Sequence, residues 1–490
     1  MEWMSPMDAS FLHIEGPDNP MHIGGVSIFA GPAPPFEQLE AMVAGKLDAV
    51  PRYRQKVRLV PLGLGRPVWI EDPHFSLAYH LRHSALPAPG SEEVLRRTAA
   101  RIFAQPLDRD KPLWEIWMIE GLSDNRWVLL SKVHHCMVDG VSATDLMTVM
   151  FDGSPTPVPE RRWTPVPEPS SAELVLRTVG RQASTPAEQL RVLRAAVRRP
   201  RATLGQVRDL VRGMTSAAGL LAPMGRSSLT GPVGPHRTWS VARVALSDVK
   251  TVRAELGGTV NDVVLTLVSG GLRDLLQARG EDIEGRSVRA LVPVSVRQPG
   301  ERGVYNNRVS AMIAELPVSI ADPQARLQAV RAQMDGLKQS KQAVAGDVLT
   351  SLSGFAPPML LALGGRLAAR APSLGVQTGV TNVPGPQQPL QTLGRRLLES
   401  FPFVPLIGQV RISIAIFSYN GGLYFGVTGD FDSSNDIDLL TAGVQRAMVQ
   451  LRQGVTAAPS PAALESAPTA ARRNRPTKSR NRPAETRSEP

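Results

Sequence analysis

The chain of 490 residues contains one cysteine and no long hydrophobic run. A single cysteine excludes a disulfide framework and any metal site built from several thiolates. No stretch approaches the roughly 18 consecutive apolar residues of a membrane-spanning helix, and the N-terminus has acidic residues where a signal peptide has a basic start. We therefore expect a soluble or peripheral intracellular protein, located in the cytoplasm, on the inner face of the membrane or on lipid inclusions.

The positive charge of the chain is unevenly distributed. The net charge is +11, and the excess of Lys and Arg over Asp and Glu falls in residues 151–240 and 456–490, whereas the remainder is balanced. A basic groove through the folded body is therefore not indicated, and no motif for reading bases is present. The sequence predicts no nucleic-acid partner.

The pattern of apolar residues predicts two α/β halves separated by a crossover. We expect an N-terminal subdomain (1–150), a Pro-rich linker with basic amphipathic helices (151–238), a C-terminal subdomain (239–455) and a disordered basic tail (456–490). The predicted fold class is α/β with mixed sheets, in two similar subdomains with a cleft or tunnel between them.

Individual elements follow from hydrophobic periodicity and turn residues. The predicted strands are His22–Ala30, Trp127–His134, Trp239–Leu246, Val288–Val296, Val410–Phe417 and Leu423–Val427, the last two joined by a hairpin turn at SYNGG. The predicted helices are Glu92–Ala104, Ala143–Phe151, Ser247–Glu255, Asn261–Arg279 and Ile437–Arg452.

The clearest chemical signal is the pair His134-His135, followed by Asp139 and Gly140, where a predicted strand ends. An imidazole accepts and returns a proton near neutral pH, and a glycine permits close approach of a substrate. These residues favour a catalytic histidine. Three other interpretations stay open on the residues alone: two structural core histidines, a zinc site, and a Cys136 nucleophile beside His135.

The HHxxxDG pattern resembles the signature of acyl-CoA-dependent acyltransferases with the chloramphenicol acetyltransferase-like fold, which include the condensation domains of peptide synthetases. Over nearly its whole length the chain also resembles the bacterial wax ester synthase/diacylglycerol acyltransferases. The matching stretches, in chain order, are SPMDASFLHIE, NPMHIGG, PRYRQKV, LDRDKPLWEIWMIEGL, GGTVNDVVL, PVSVR, TNVPGP and SYNGGLYFGVTGD.

The resemblance implies roles for the motif residues. His135 would be the general base that removes the proton from an acceptor hydroxyl, whose oxygen attacks the thioester carbonyl of acyl-CoA without an acyl-enzyme. His134 would support it. Asp139 would organise the loop through an ion pair, for which we expect Arg297 as the partner, and Gly140 would leave room for the substrate.

Other motif residues have two interpretations each. Asn261 and Asp262 are typical of a helix N-terminus, and the resemblance also implies a role in shaping the active site. The Pro112–Trp114 element indicates packing or the lining of an acyl channel. Thr381 and Asn382 are candidates for hydrogen bonds to the oxyanion, although TNVPGP by itself predicts a turn.

The resemblance implies an acyl-CoA-dependent O-acyltransferase that makes triacylglycerol from diacylglycerol, and wax esters from long-chain alcohols. Acyl-CoA would be a co-substrate, with no bound cofactor and no metal. One alternative is transfer to a sugar or polyketide hydroxyl, and another is a non-catalytic protein that binds lipid surfaces. The arginine-rich segment 174–214 is compatible with peripheral contact to a membrane or a lipid droplet.

Overall fold

The computed structural model describes residues 1–137, 150–151, 163–181, 227–295, 309–339 and 375–457. Most of the predicted helix Ala143–Phe151, most of the basic crossover and residues 458–490 of the predicted tail lie outside the described residues. None of the helices in the described ranges is long and apolar enough to cross a lipid bilayer.

The strands, numbered in chain order, are β1 (Glu2–Trp3), β2 (His22–Ala30), β3 (Gln55–Arg58), β4 (Val68–Glu71), β5 (Leu81–Ala85), β6 (Trp114–Leu122), β7 (Arg126–His134), β8 (Arg237–Ala245), β9 (Val288–Ser295), β10 (Val309–Leu316), β11 (Thr378–Pro384), β12 (Gln391–Thr392), β13 (Arg395–Phe403), β14 (Ile412–Tyr419) and β15 (Gly422–Asp430). The helices are α1 (Pro6–Ile14), α2 (Phe36–Lys46), α3 (Leu77–His80), α4 (Glu92–Ala104), α5 (Leu246–Leu256), α6 (Val260–Ala278), α7 (Pro323–Gln339) and α8 (Ile437–Ala457). Residues 171–181 are also helical.

The first large sheet has six strands in the order β12-β13-β2-β7-β6-β5. β7 lies near its centre and pairs antiparallel with β2 and β6. Its sequence WVLLSKVH is buried from Trp127 to His134, because both faces of the strand are covered and each is filled with side chains. The strand therefore fixes the position of the histidine pair at its end.

Helix α4 begins and ends as predicted from the sequence. The Ser91 hydroxyl accepts a hydrogen bond from the Val94 amide at 3.3 Å, and Glu92 and Glu93 occupy the first turn. A hydroxyl cap and acidic residues both stabilise a helix N-terminus.

The first sheet is completed by residues from late in the chain. β13 pairs antiparallel with β2, in a register that sets Phe403 opposite Gly24 and Leu397 opposite Phe29. Residues within the predicted C-terminal subdomain thus form two strands of the N-terminal sheet. The two halves are joined through a shared sheet as well as through the crossover.

The second large sheet has the order β10-β9-β11-β14-β15-β8. β11 runs parallel to β9 and β14, and the other pairings are antiparallel. The predicted SYNGG hairpin turn is confirmed: Asn420 and Gly421 have φ of 43° and 81°, as a two-residue turn between twisted strands requires. Helices α6 and α8 pack closely, since a Cβ on Gly271 would lie 2.5 Å from the Leu440 carbonyl oxygen.

Two local predictions in this half are corrected by the structure. TNVPGP does not form a turn, because Thr381 to Pro384 complete β11, whose pairing with β14 outweighs the local turn preference. Helix α6 begins at Val260 rather than Asn261, because Thr259 is the N-cap residue. Asn261 and Asp262 therefore lie inside the first turn.

Candidate active site

His134 and His135 lie where β7 passes into a single 3₁₀ turn, His135–Met137. Two neighbouring segments hold their backbone. The His134 amide donates to the Leu113 carbonyl at 2.9 Å, and the His135 amide donates to the Met21 carbonyl at 2.8 Å. The PLW and NPMHIGG stretches therefore anchor the histidine pair through main-chain bonds.

His134 is buried and its ring is fixed by two contacts. The Cys136 amide donates to Nδ1 at 3.1 Å, so Nδ1 is the acceptor and the ring proton belongs on Nε2. Nε2 lies 3.4 Å from Oε1 of Glu15, longer than a well-formed hydrogen bond, so that contact is mainly electrostatic. This arrangement supports an orienting role for His134.

Glu15 follows the last residue of α1 and links three parts of the site. Its Oε1 accepts a hydrogen bond from the Met21 amide at 2.9 Å, and its Oε2 accepts one from Arg109 Nε at 2.9 Å. Burial favours the neutral acid, but His134, the Met21 amide and Arg109 outweigh burial and lower the pKa of Glu15 to about 2. Glu15 is therefore a buried carboxylate at neutral pH.

Helix α1 also supplies the surface on which His135 rests. Ser5 caps the helix by accepting a hydrogen bond from the Asp8 amide at 3.1 Å, and Pro6 occupies the first turn, which is a favourable helix start. Further along the helix, the Phe11 ring stacks on the His135 ring with 3.9 Å between centroids and 19° between planes.

The residue His135 is half-buried, and its Nδ1 is buried without a hydrogen bond of normal geometry to any described residue. Burial lowers the pKa of His135 to about 4, with a smaller lowering from His134, while the histidine's own carbonyl acts in the opposite direction. At neutral pH the ring is therefore uncharged and able to accept a proton.

The structure bears on two of the alternative interpretations. Cys136 is buried, and burial raises the pKa of its thiol well above the ordinary value, so the thiolate that a nucleophile needs is not formed near neutral pH. No group of three His, Cys, Asp or Glu side chains within the described ranges is arranged to hold a metal ion.

The other predicted site residues are placed as follows. Asp262 forms a capping box with Thr259: its Oδ2 accepts from the Thr259 amide at 2.7 Å, and its amide donates to the Thr259 hydroxyl at 3.2 Å. Asn261 Oδ1 accepts a hydrogen bond from Asn382 Nδ2 at 3.2 Å. The structure thus gives Asp262 a helix-capping role and joins Asn261 to β11. Asp139, Gly140 and Arg297 lie outside the described residues.

The Pro112–Trp114 element packs in the core. Leu113 and Trp114 are fully buried, and the Trp114 indole donates to the Tyr53 carbonyl at 2.8 Å. Of the two roles considered for this element, packing is the one these contacts support.

A cavity of about 670 Å³ lies between α4 of the first half and β8 of the second. Its lining includes Arg96, Arg101, Trp239 and Phe431, and His135 is not part of it. The cavity does not include the candidate base, so the cleft expected at the active site stays a prediction.

Sequence reasoning missed the residues that orient the histidine pair, namely Phe11, Glu15 and Arg109. All three lie in stretches that matched the family, SPMDASFLHIE and LDRDKPLWEIWMIEGL. The signal that points to Glu15 is an acid directly after α1, within the SPMDASFLHIE stretch. Which histidine it faces depends on the fold.

Comparison with solved structures identifies the fold. Over 93% of the chain the fold is similar to a wax ester synthase/diacylglycerol acyltransferase from Marinobacter aquaeolei VT8, with a TM-score of 0.64, 24% identity and all of that chain covered. It is also similar to the first condensation domain of the calcium-dependent antibiotic synthetase, with a TM-score of 0.56, 17% identity, and 93% of this chain and 97% of that chain covered. This is the fold of the acyltransferase and condensation-domain class.

Sequence comparison defines the family within that class. Residues 4–264 match the wax ester synthase/diacylglycerol acyltransferase catalytic domain, and residues 305–452 match the C-terminal domain of the same proteins. The probable diacylglycerol O-acyltransferase tgs1 of Mycobacterium tuberculosis H37Rv is 37% identical over 453 residues, which are 92% of this chain and 96% of that protein. The chain belongs to the wax ester synthase/diacylglycerol acyltransferase family. The family and the fold class expected from the sequence are confirmed.

Proposed function

We propose that the protein transfers a long-chain acyl group from acyl-CoA to the free hydroxyl of diacylglycerol, and that His135 is the general base. The observation that carries the assignment is the His135 ring stacked on Phe11 beside the His134–Glu15 pair. Burial lowers the pKa of this ring, which favours the neutral form that a base needs. The name of the mycobacterial relative supports diacylglycerol as the acceptor.

In the proposed reaction His135 takes the proton of the acceptor hydroxyl while the oxygen attacks the thioester carbonyl. The tetrahedral intermediate then collapses, the C–S bond breaks, and the proton passes to the CoA thiolate. An ester and free CoA are the products. Since a thioester is already activated, positioning and proton removal supply most of the rate enhancement.

Supporting roles follow from the contacts. His134 and Glu15 hold the end of β7, and the Asn261–Asn382 hydrogen bond ties α6 to β11. Asp139 and Arg297 are proposed as a structural ion pair that fixes the loop after the motif, and Gly140 as the residue that leaves space for the substrates.

The direct test is an acceptor panel with one long-chain acyl-CoA, in which release of free CoA is measured with diacylglycerol, hexadecanol and trehalose. We expect turnover with diacylglycerol and a lower rate with hexadecanol. Preferred use of trehalose would instead support the sugar acyltransferase alternative, and no turnover with any acceptor would support a non-catalytic lipid-binding role.

The matching variant is His135→Ala, which removes the base. We expect kcat to fall by roughly 10²-fold or more, the range of general-base contributions. His83→Ala serves as the control, because His83 is an exposed residue on edge strand β5. Unchanged kcat in His135→Ala would contradict the assignment.

A further inference from the structure

The cavity between α4 and β8 is distinguished by the charge of its lining. Its volume is about 670 Å³, and sites that bind small organic molecules have volumes of roughly 300–1,000 Å³. Two of the lining residues are acids and four are arginines, the latter being Arg96, Arg97, Arg101 and Arg237. We call this space the arginine cavity. Its lining favours a ligand that carries negative charge.

One face of α4 forms the wall on the side of the first half. Arg97 and Arg101 are four residues apart, so they are neighbours on the surface of the helix, and both are exposed. Ala100 and Ala104 line the cavity beside them, and their small side chains leave space for a ligand. The helix therefore presents two guanidinium groups next to an open volume.

The arginines of α4 differ in how fully the protein neutralises their charge. Arg96 forms an ion pair with Asp438. Arg97 lies 3.8 Å from Glu93, and an ion pair between two exposed side chains contributes little. Arg101 has no hydrogen bond and no ion pair with any residue in the described ranges. Its guanidinium donors are therefore available, and their planar fork suits the oxygens of a phosphate group.

The opposite wall of the arginine cavity contributes an aromatic ring. Phe431 directly follows β15 and is 47% exposed. Its ring meets the His236 ring edge-on, with 6.3 Å between centroids. An exposed aromatic ring beside arginines is the combination that binds nucleotides, because the base stacks on the ring and the phosphates contact the guanidinium groups. The lining therefore fits a phosphorylated nucleotide.

The arginine cavity lies near the histidine pair but apart from it. Pro17 lines the cavity. Two residues earlier, Glu15 contacts His134. Four residues later, the Met21 carbonyl accepts a hydrogen bond from the His135 amide, and four residues span at most roughly 14 Å even when fully extended. A thioester of coenzyme A needs two neighbouring sites of this kind, because its nucleotide and its reacting carbonyl are at opposite ends of one pantetheine arm.

We propose that the arginine cavity binds the phosphorylated nucleotide of acyl-CoA. Arg97 and Arg101 contact the phosphates, and Phe431 stacks on the adenine. This role rests on the proposed function, in which acyl-CoA is the donor. Because the nucleotide does not react, its binding free energy serves to position the thioester at His135.

Steady-state kinetics with two donors tests the nucleotide site. Palmitoyl-pantetheine has the same thioester as palmitoyl-CoA but no nucleotide. Arg101→Gln should raise KM for palmitoyl-CoA by roughly 5-fold or more, as expected for a charge-assisted hydrogen bond at an exposed position, with kcat unchanged. Phe431→Leu should raise the same KM roughly 5-fold through lost stacking. Both variants should use palmitoyl-pantetheine as the wild type does.

Arg253→Gln is the matched control. Arg253 is an exposed arginine on α5 that does not line the cavity, so KM for both donors should equal the wild-type value. A KM for palmitoyl-CoA that is unchanged in Arg101→Gln, or that rises equally for both donors, would overturn the nucleotide site.

Calorimetric titration with adenosine 3′,5′-bisphosphate gives a readout that does not depend on turnover. We expect binding to the wild type, binding that is roughly 5-fold weaker or more in Arg101→Gln, and competitive inhibition with respect to palmitoyl-CoA. No binding would overturn the proposal. Tighter binding of ATP, with noncompetitive inhibition, would assign the cavity to a free regulatory nucleotide and overturn it too. A wild type that binds the bisphosphate but turns over neither donor would support the nucleotide site and count against the proposed function alone.

Discussion

At the scale of single residues, the candidate site is a base whose charge state is set by its surroundings. His135 needs to be neutral to accept a proton, and burial lowers its pKa to about 4. We therefore expect kcat/KM to stay level through neutral pH and to fall only as the pH approaches about 4. The profile should be recorded with the melting temperature at each pH. An acid limb near 6.5 with the fold intact would contradict the lowered pKa.

Glu15 provides a second test at this scale. Glu15→Gln keeps the shape of the side chain but removes the carboxylate that contacts His134, Met21 and Arg109. We therefore expect kcat to fall roughly 10-fold through misplacement of His135, with little change in KM.

The same carboxylate makes stability depend on pH, because the pKa of Glu15 is lower in the folded state than its ordinary value. Its contribution to stability is therefore present above its ordinary pKa of 4.5 and lost as the pH falls toward about 2.

The melting temperature of Glu15→Gln should accordingly lie below that of the wild type at neutral pH, and the difference should shrink below pH 4.5. Glu284→Gln, an exposed acid in a loop, is the control and should leave kcat unchanged. A kcat equal to the wild-type value in Glu15→Gln would show that Glu15 does not position the base.

At the scale of elements, capping decides where α6 begins. Thr259→Ala removes the hydroxyl that accepts a hydrogen bond from the Asp262 amide. We expect this to lower the free energy of unfolding by about 1 kcal/mol. Thr251→Ala within α5 is the control, since alanine favours a helix interior. Denaturant unfolding measures both. Equal stability of the two variants would show that Asp262 alone maintains the cap.

Helices and strands whose defining residues lie next to each other in the sequence could be predicted. The strand His22–Ala30 and the helix Glu92–Ala104 have the predicted bounds, because an apolar run with valine and isoleucine marks the strand, and a serine cap with first-turn acids marks the helix. β11 was not predictable, because its Thr-Asn-Val-Pro sequence favours a turn until β14 supplies a partner strand. The start of α6 was displaced by one residue because threonine, asparagine and aspartate are all acceptable caps.

At the scale of the whole molecule, the pattern of the sequence predicts two α/β halves but not their interlocking. The return of β12 and β13 to the first sheet is a long-range pairing that no local pattern reveals. In the candidate site, too, some features can be recognised from the sequence and others depend on long-range packing. His134 and His135 are recognisable from the motif, whereas their link to Glu15 and Phe11 depends on how α1 packs on the end of β7.

The pairing of β13 with β2 also has a consequence for biosynthesis. When residues 22–134 have left the ribosome, the edge of β2 has no partner until residues 395–403 have been translated. At roughly 5–20 residues per second, that edge stays open for at least ten seconds. Nascent chains stalled between these points should be bound by chaperones that recognise exposed strands, whereas completed chains should not.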